Sequence, residues 1–176
     1  KDSMFVGLSI GGMIGQGLAT KRRDLIRSMV LSNTAAKIAT PDIWRERIAS
    51  IRENGMDLVA DASMSRWFSP KMLAGQSKAP WHNMLRATRA EGYIGCAHAI
   101  AGTDFITPTS ALRLPVMGIA GDHDSSTPAD LVRKTLDLIP GSQFHLIKGA
   151  GHAPCIEQPA KFAKLLSDFL TSTSHI

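Results

Sequence analysis

Cysteine is scarce in this sequence: Cys96 and Cys155 are the two thiols among 176 residues. That excludes a disulfide-stapled scaffold and fits a reducing, cytoplasmic setting. Aromatics are few, at 6%, and the net charge of +5 is scattered. The one dense basic cluster, Lys21-Arg22-Arg23, is too short to read as a nucleic-acid stripe. Low-complexity tracts and internal repeats are absent. What is plentiful is apolar material, 44% of residues, enough for the core of one domain and too much for a disordered, collagenous or coiled-coil chain.

One stretch mimics a membrane segment. Ser3 to Thr20 is uncharged for 18 residues and is followed by the basic cluster. Gly7, Gly11, Gly12, Gly15, Gly17 and Gln16 argue against it, since a helix-interior glycine costs about 1 kcal/mol relative to alanine. The chain begins at Lys1 and reaches a motif normally found mid-protein within ten residues. It therefore reads as the C-terminal portion of a longer polypeptide.

Met4 to Leu8 reads as a short buried strand, Gly11 to Ala19 as a closely packed helix, and Ile26 to Leu31 as a second strand. Continuous rather than alternating apolar runs predict strands covered on both faces, as in a parallel sheet. From Pro41 to about Gly102 the pattern is helical. Thr40 caps a helix opened by Pro41 and stopped at Asn54-Gly55. Further helices are predicted over Asp57 to Trp67, Trp81 to Arg89 and Glu91 to Ala101. This segment holds all three tryptophans and four of the eight methionines. Read as exposed, they mark either a cap over a pocket or a partner surface. Val116 to Ala120 and Gln143 to Ile147 are strands, a helix runs from Pro128 through Leu138, and Gly149 to Pro154 is a loop. The last helix opens at Pro159 and places Phe162, Leu165, Leu166 and Phe169 on one face. The order is that of an α/β fold with parallel crossovers. It divides as core (1–35), helical cap (36–111) and a second core portion (112–176).

Gly7-Leu8-Ser9-Ile10-Gly11 matches G-x-S-x-G. A serine between strand and helix sits on a strained turn, and small flanking residues leave room for that backbone. Serine needs a base and an orienting acid. In the order expected for this motif the acid comes next and histidine last. Asp122 and Asp124 share the loop after the third strand, and His152 follows the fourth. Both loops lie at the C-terminal ends of strands, where open α/β sheets place their sites. A metal site built from Asp122, His123, Asp124 and His152 is the rival, disfavoured because adjacent residues seldom converge on one ion. His82, His98, His145 and His175 read as solvated or packed, and Cys96 as a packing residue. Cys155, three residues from His152, raises a Cys–His alternative.

These motifs resemble the α/β-hydrolase superfamily, carried by GLSIGG around Ser9, GDHDSSTP around Asp124 and GAGHAPCIEQP around His152. Within it the sequence resembles the 3-oxoadipate enol-lactonase family, through Leu31 to Ile48, Arg66-Trp67-Phe68 and Asp137 to Phe144. The resemblance implies a mostly parallel sheet with a helical cap, and hydrolysis of a small carboxylated enol-lactone in aromatic-compound catabolism (the β-ketoadipate pathway). It needs no cofactor, metal, nucleic acid or membrane. It casts Ser9 as nucleophile, His152 as base, Asp124 in preference to Asp122 as the acid, and the Ile10 N–H as an oxyanion donor. Arg66, beside Trp67, is the expected contact for the substrate carboxylate, with Arg45, Arg86 and Arg89 next in line. Other members carry several strands before the nucleophile strand, and a His-Gly-type loop supplying a second oxyanion donor. Neither lies in these residues, so the remaining strands are expected to expose an edge and apolar faces. The other readings are a different small-ester hydrolase, a cofactor-free perhydrolase or lyase of the same fold, and an inactive fragment or binding module.

Overall fold

The computed structural model describes residues 2–173, so the reading of His175 falls outside the described residues. Strands β1 (Ser3–Leu8), β2 (Ile26–Ser32), β3 (Val116–Gly121) and β4 (Gln143–Ile147) form a four-stranded sheet in that spatial order. Every neighbouring pair is parallel. Helix α1 (Ile10–Lys21) joins β1 to β2, and α8 (Ala129–Leu136) joins β3 to β4. The long excursion between β2 and β3 contains α2 (Pro41–Asn54), α3 (Met56–Trp67), α4 (Pro70–Ala74), α5 (Ala79–Arg86), α6 (Ala90–Ala101) and α7 (Ile106–Ser110). After β4 come the short α9 (Pro154–Glu157) and α10 (Pro159–Ser172).

The continuous apolar runs have the cause expected of them in the two inner strands. Met29 and Leu31 of β2 and Val116 and Ala120 of β3 join one core with α1 and α8, through Ala19, Val132 and Leu136. The intervening Val30, Met117 and Ile119 join a second core with Phe162 and Phe169 of α10. A period of two thus feeds both faces, and every residue of β3 is buried.

The outer strands correct the sequence reading. Only Gly7 of β1 is buried, so Met4 to Leu8 is not a buried strand. Among the described residues β1 pairs on one side alone, and Val6 is 40% exposed. At the other edge Leu146 of β4 is 43% exposed. The expected open edge and bare apolar surface are therefore present.

Ser3 to Thr20 is divided between β1 and α1, and among the described residues no helix is long and apolar enough to cross a membrane. In the helical excursion, Thr40 Oγ1 accepts from Ile43 N and Gly55, at φ 73°, ends α2. The helix expected over Trp81 to Arg89 instead starts at Ala79 and ends at Arg86, and α4, α7 and α9 were not expected. The methionines and tryptophans here are mostly not exposed: Trp44, Met56 and Met64 are buried and Met84 stands out at 51%. Two clusters tie the excursion to the sheet's C-terminal end. Met13, Trp44, Ile48 and Ala97 form one, and Met64, Phe68, Leu85 and Ala153 form another.

Candidate active site

Ser9 occupies the junction of β1 and α1 as the helix N-cap, at φ 55° and ψ −121°. A non-glycine residue there stores roughly 1–3 kcal/mol of strain that its surroundings must offset. They do so from the end of β2 and the segment just beyond it: Ser9 N donates to Ser32 O at 3.0 Å and Thr34 Oγ1 donates to Ser9 O at 2.6 Å. The strand end and the first helical turn also touch. A Cβ on Gly7 would lie 2.4 Å from Gly11 O, and one on Gly12 2.4 Å from the Thr34 side chain. A Cβ on Gly11 would meet nothing within 4 Å. Of the two motif glycines, Gly7 has the steric task here, and Gly12 takes the second. Ile10 opens α1, where backbone N–H groups lack intrahelical partners and the helix dipole is positive.

His152 Nδ1 lies 2.8 Å from Asp124 Oδ2, and both residues are buried. The carboxylate is surrounded by donors. Oδ1 accepts from Ser126 N and Thr127 N, and Oδ2 from Thr127 Oγ1 and Asn33 Nδ2. Burial alone would push this carboxyl up, but the bonds from His152, Asn33 and Thr127 outweigh it and hold the group below its ordinary range. Asp122 faces elsewhere: its Oδ1 accepts from Gly149 N at 2.7 Å and Ala150 N at 3.3 Å. The two aspartates diverge, and among the described residues no three His, Cys, Asp or Glu side chains are grouped to hold a metal ion.

The histidine loop and the acid loop are both fastened to the end of α3. His152 N donates to Trp67 O at 2.6 Å, and Ser125 N donates to Arg66 O at 3.1 Å. A Cβ on Gly151 would lie 2.2 Å from Trp67 O, so this approach requires glycine. Glu157 spans the same junction, accepting from Gly151 N at one oxygen and from Ser69 N and Oγ at the other. The Trp67 ring stacks on the His152 ring at 5.8 Å between centroids.

Ser9, Ile10, His152, Arg66 and Trp67 line one cavity of about 540 Å³, the size of a small-molecule site. Its far walls come from α2, α3, α5 and α6. Arg66 is half-buried there, its Nε without a hydrogen-bond partner. Burial first, and the charge of Arg47 second, push its guanidinium down. Arg47 lines the same cavity and rests on the Trp44 ring at 4.7 Å. Among the described lining residues there is no carboxylate. Arg45, Arg86 and Arg89, the expected alternates, instead pair with Asp42, Asp57 and Glu91 and do not line the cavity. Arg47 was missed because a half-exposed helical arginine carries no sequence signal of its own.

Cys96 is exposed on α6 and lines the cavity, so it is not a packing residue. Cys155 is outside the lining, and partial burial pushes its thiol up, opposite to the shift a thiolate nucleophile needs. His82 pairs with Asp61 on the surface, His98 is exposed on α6 and His145 lies in β4. Asn33 and Thr127 were missed as partners of the acid. The available signal was position, because Asn33 is among the first residues beyond β2 at the sheet's C-terminal end.

With a serine on a strained strand-to-helix turn and an Asp–His pair on the next strand ends, the chain belongs to the α/β hydrolase family, which it matches over residues 2–165. It is 31% identical over 164 residues to 3-oxoadipate enol-lactonase 2 of Acinetobacter baylyi and 33% identical over 171 residues to 3-oxoadipate enol-lactonase 1 of that organism. Those alignments cover 92% and 96% of this chain, which spans 61% and 64% of the two relatives' lengths. Among solved structures it is similar to the enol-lactonase of Burkholderia xenovorans LB400, with TM-score 0.88 and 32% identity over 97% of this chain and 66% of that one. It is also similar to a hydrolase of Pseudomonas aeruginosa PA01, with TM-score 0.90 and 31% identity over 96% of this chain and 64% of that one.

Proposed function

We propose that the protein is a serine hydrolase opening a small, carboxylated enol-lactone, 3-oxoadipate enol-lactone to 3-oxoadipate, without a cofactor. Ser9 Oγ attacks the ring carbonyl while His152 Nε2 takes its proton. Asp124 accepts from Nδ1–H, holding the required tautomer and stabilising the imidazolium. The Ile10 N–H meets the oxyanion as it forms. The carbonyl–oxygen bond then breaks, and His152 returns the proton to the departing enolate oxygen. Water, deprotonated by the same histidine, attacks the acyl-serine; the acyl–Oγ bond breaks as His152 returns the proton to Ser9 Oγ, and the freed enol acid tautomerises to the 3-oxo acid. The α2–α7 segment acts as the cap that excludes bulk water from this step.

The observation that carries the substrate class is the pairing of Arg66 and Arg47 in a cavity whose described lining has no carboxylate. An anionic substrate entering it loses hydration, which a local cation replaces. Arg66 is the principal contact, because its partly buried guanidinium has an unpartnered Nε. Arg47 is the second.

Ser9→Ala should abolish turnover and labelling by a fluorophosphonate while leaving the fold intact. A charge-assisted hydrogen bond is worth about 1.5–3 kcal/mol. Arg66→Met should therefore raise KM for the anionic lactone roughly ten- to a hundredfold. KM for a neutral ester of similar size should stay within about twofold, having no ionic contact to lose. Labelling at another residue overturns the nucleophile. Equal losses on both substrates make Arg66 a fold residue and favour an esterase of neutral substrates.

A further inference from the structure

We propose that Asn33 is a positioning residue of this site: its amide nitrogen fastens the acid to the histidine loop and shares the carboxylate oxygen that His152 uses. Asn33 Nδ2 donates to Asp124 Oδ2 at 2.9 Å and to Gly151 O at 3.2 Å. The first ties β2 to the acid loop, and the second ties it to the residue preceding His152. Both partners are acceptors, so the amide must present its nitrogen; the flipped amide would set oxygen against oxygen at both. Ser32 Oγ donates to Asn33 Oδ1 at 2.9 Å, which fixes the same orientation. The backbone is equally constrained. Asn33 N donates to Ile119 O at 2.8 Å, continuing the β2–β3 ladder, at φ 47°, a conformation that asparagine tolerates better than most residues. Asn33 is fully buried, so water does not substitute for these bonds.

The consequence is electrostatic. Asp124 Oδ2 is shared by three groups: Thr127 Oγ1 at 2.7 Å, His152 Nδ1 at 2.8 Å and Asn33 Nδ2 at 2.9 Å. Each donor draws on the charge that would otherwise bind the imidazolium. Asn33 thereby competes with His152 for that oxygen while keeping Asp124 from turning away. Other titratable groups surround this unit without an observed bond to that oxygen. Arg47, Arg66, Tyr93 and Cys96 line the cavity, His123 and Asp122 share the acid loop, and Glu157 holds Gly151 N.

This inference rests on the reading of Ser9, His152 and Asp124 as the hydrolytic set, so its test has a readout independent of turnover. Asn33→Gly accepts the same backbone and removes the amide, leaving the charge on Asp124 Oδ2 to His152 and Thr127. The pH at which the His152 ring takes up its proton, followed by NMR, should then rise by about one unit. The acid limb of the kcat/KM profile should move up equally, with activity partly recovering at alkaline pH and KM for a neutral ester unchanged. At pH 7 kcat should fall roughly ten- to a hundredfold, the scale of one lost hydrogen bond to a charged group. Asn33→Asp keeps the shape, but its carboxyl meets Asp124 Oδ2 and Gly151 O, so it holds a proton that it donates as the amide did. It should keep activity within about tenfold of the parent near neutrality, and it decides the matter if the glycine variant does not fold. An unmoved ring titration with activity lost equally at every pH makes Asn33 purely structural, and full activity in Asn33→Gly also overturns the proposal. Failure of Ser9 to label or turn over counts against the hydrolase reading instead, since the ring titration still reports on Asn33.

Discussion

Asp124→Asn exchanges one oxygen for an NH2 group in a site where every neighbour donates. At Oδ1 stand Ser126 N at 2.8 Å and Thr127 N at 3.1 Å; at Oδ2 stand Asn33 Nδ2, Thr127 Oγ1 and His152 Nδ1. An NH2 at the first position opposes two backbone N–H groups, at about 1–3 kcal/mol for each buried donor left unsatisfied. An NH2 at the second position costs less. The Thr127 hydroxyl can rotate to accept, Asn33 keeps its bond to Gly151 O, and His152 can turn an unprotonated Nδ1 toward the amide. The second arrangement is favoured by one unsatisfied donor, roughly 1–3 kcal/mol. It fixes the imidazole with its proton on Nε2, leaving no base for Ser9. In the Ser–His–Asp template this change lowers kcat by about 10⁴, and a loss of that order is expected with KM little altered. The accompanying destabilisation should lower Tm by only a few degrees, since 1 kcal/mol shifts a domain of this size by about 2–4 °C. Steady-state kinetics on a chromogenic ester, with calorimetry of the same preparations, measure both. Activity within tenfold of the parent refutes the tautomer argument. Asp122→Asn is the control, since its hydrogen bonds go to Gly149 N and Ala150 N. If that variant were crippled and Asp124→Asn harmless, the acid would be Asp122.

The pH dependence of stability follows from the same carboxylate. Its folded value is depressed, so it contributes stability that is fully present above the unfolded value, about 3.9, and is lost as pH falls through the folded one. The difference in urea midpoint between the protein and Asp124→Asn should be widest near neutrality and narrow below about pH 5; a gap constant with pH contradicts this. Gly7→Ala places a Cβ 2.4 Å from the Gly11 carbonyl and 2.6 Å from Gly12 N, both backbone atoms that cannot rotate aside. Overpacking of this kind costs about 1–3 kcal/mol or more. Tm should drop measurably and fluorophosphonate labelling of Ser9 should slow, whereas an unchanged Tm would mean that the elbow relaxes freely.

Much of this protein could be read from neighbours in sequence. The turn at Ser9 was legible because a strand, a serine and a run of small residues are local facts. The inner strands were legible because a residue run that must face two cores is continuously apolar, as Met29-Val30-Leu31 is. Thr40-Pro41 and Gly55 marked the ends of α2 through their own backbone preferences. Other features depended on which distant segments meet. Two aspartates two positions apart look alike in sequence, yet one turns to His152 and the other to the amides of Gly149 and Ala150. Asn33 reaches across 91 residues to Asp124 and 118 to Gly151, separations that no local pattern encodes. Arg47 faces the cavity while Arg45, two residues away, pairs with Asp42 outside it, because the packing of α2 selects the side of the helix. β1 carried the apolar run of an interior strand, yet among the described residues it pairs on one side alone and buries only Gly7. Propensity and periodicity act within a few residues and set the elements. The direction in which a polar side chain points is set by the donors and acceptors that folding brings around it, and those come from the whole chain.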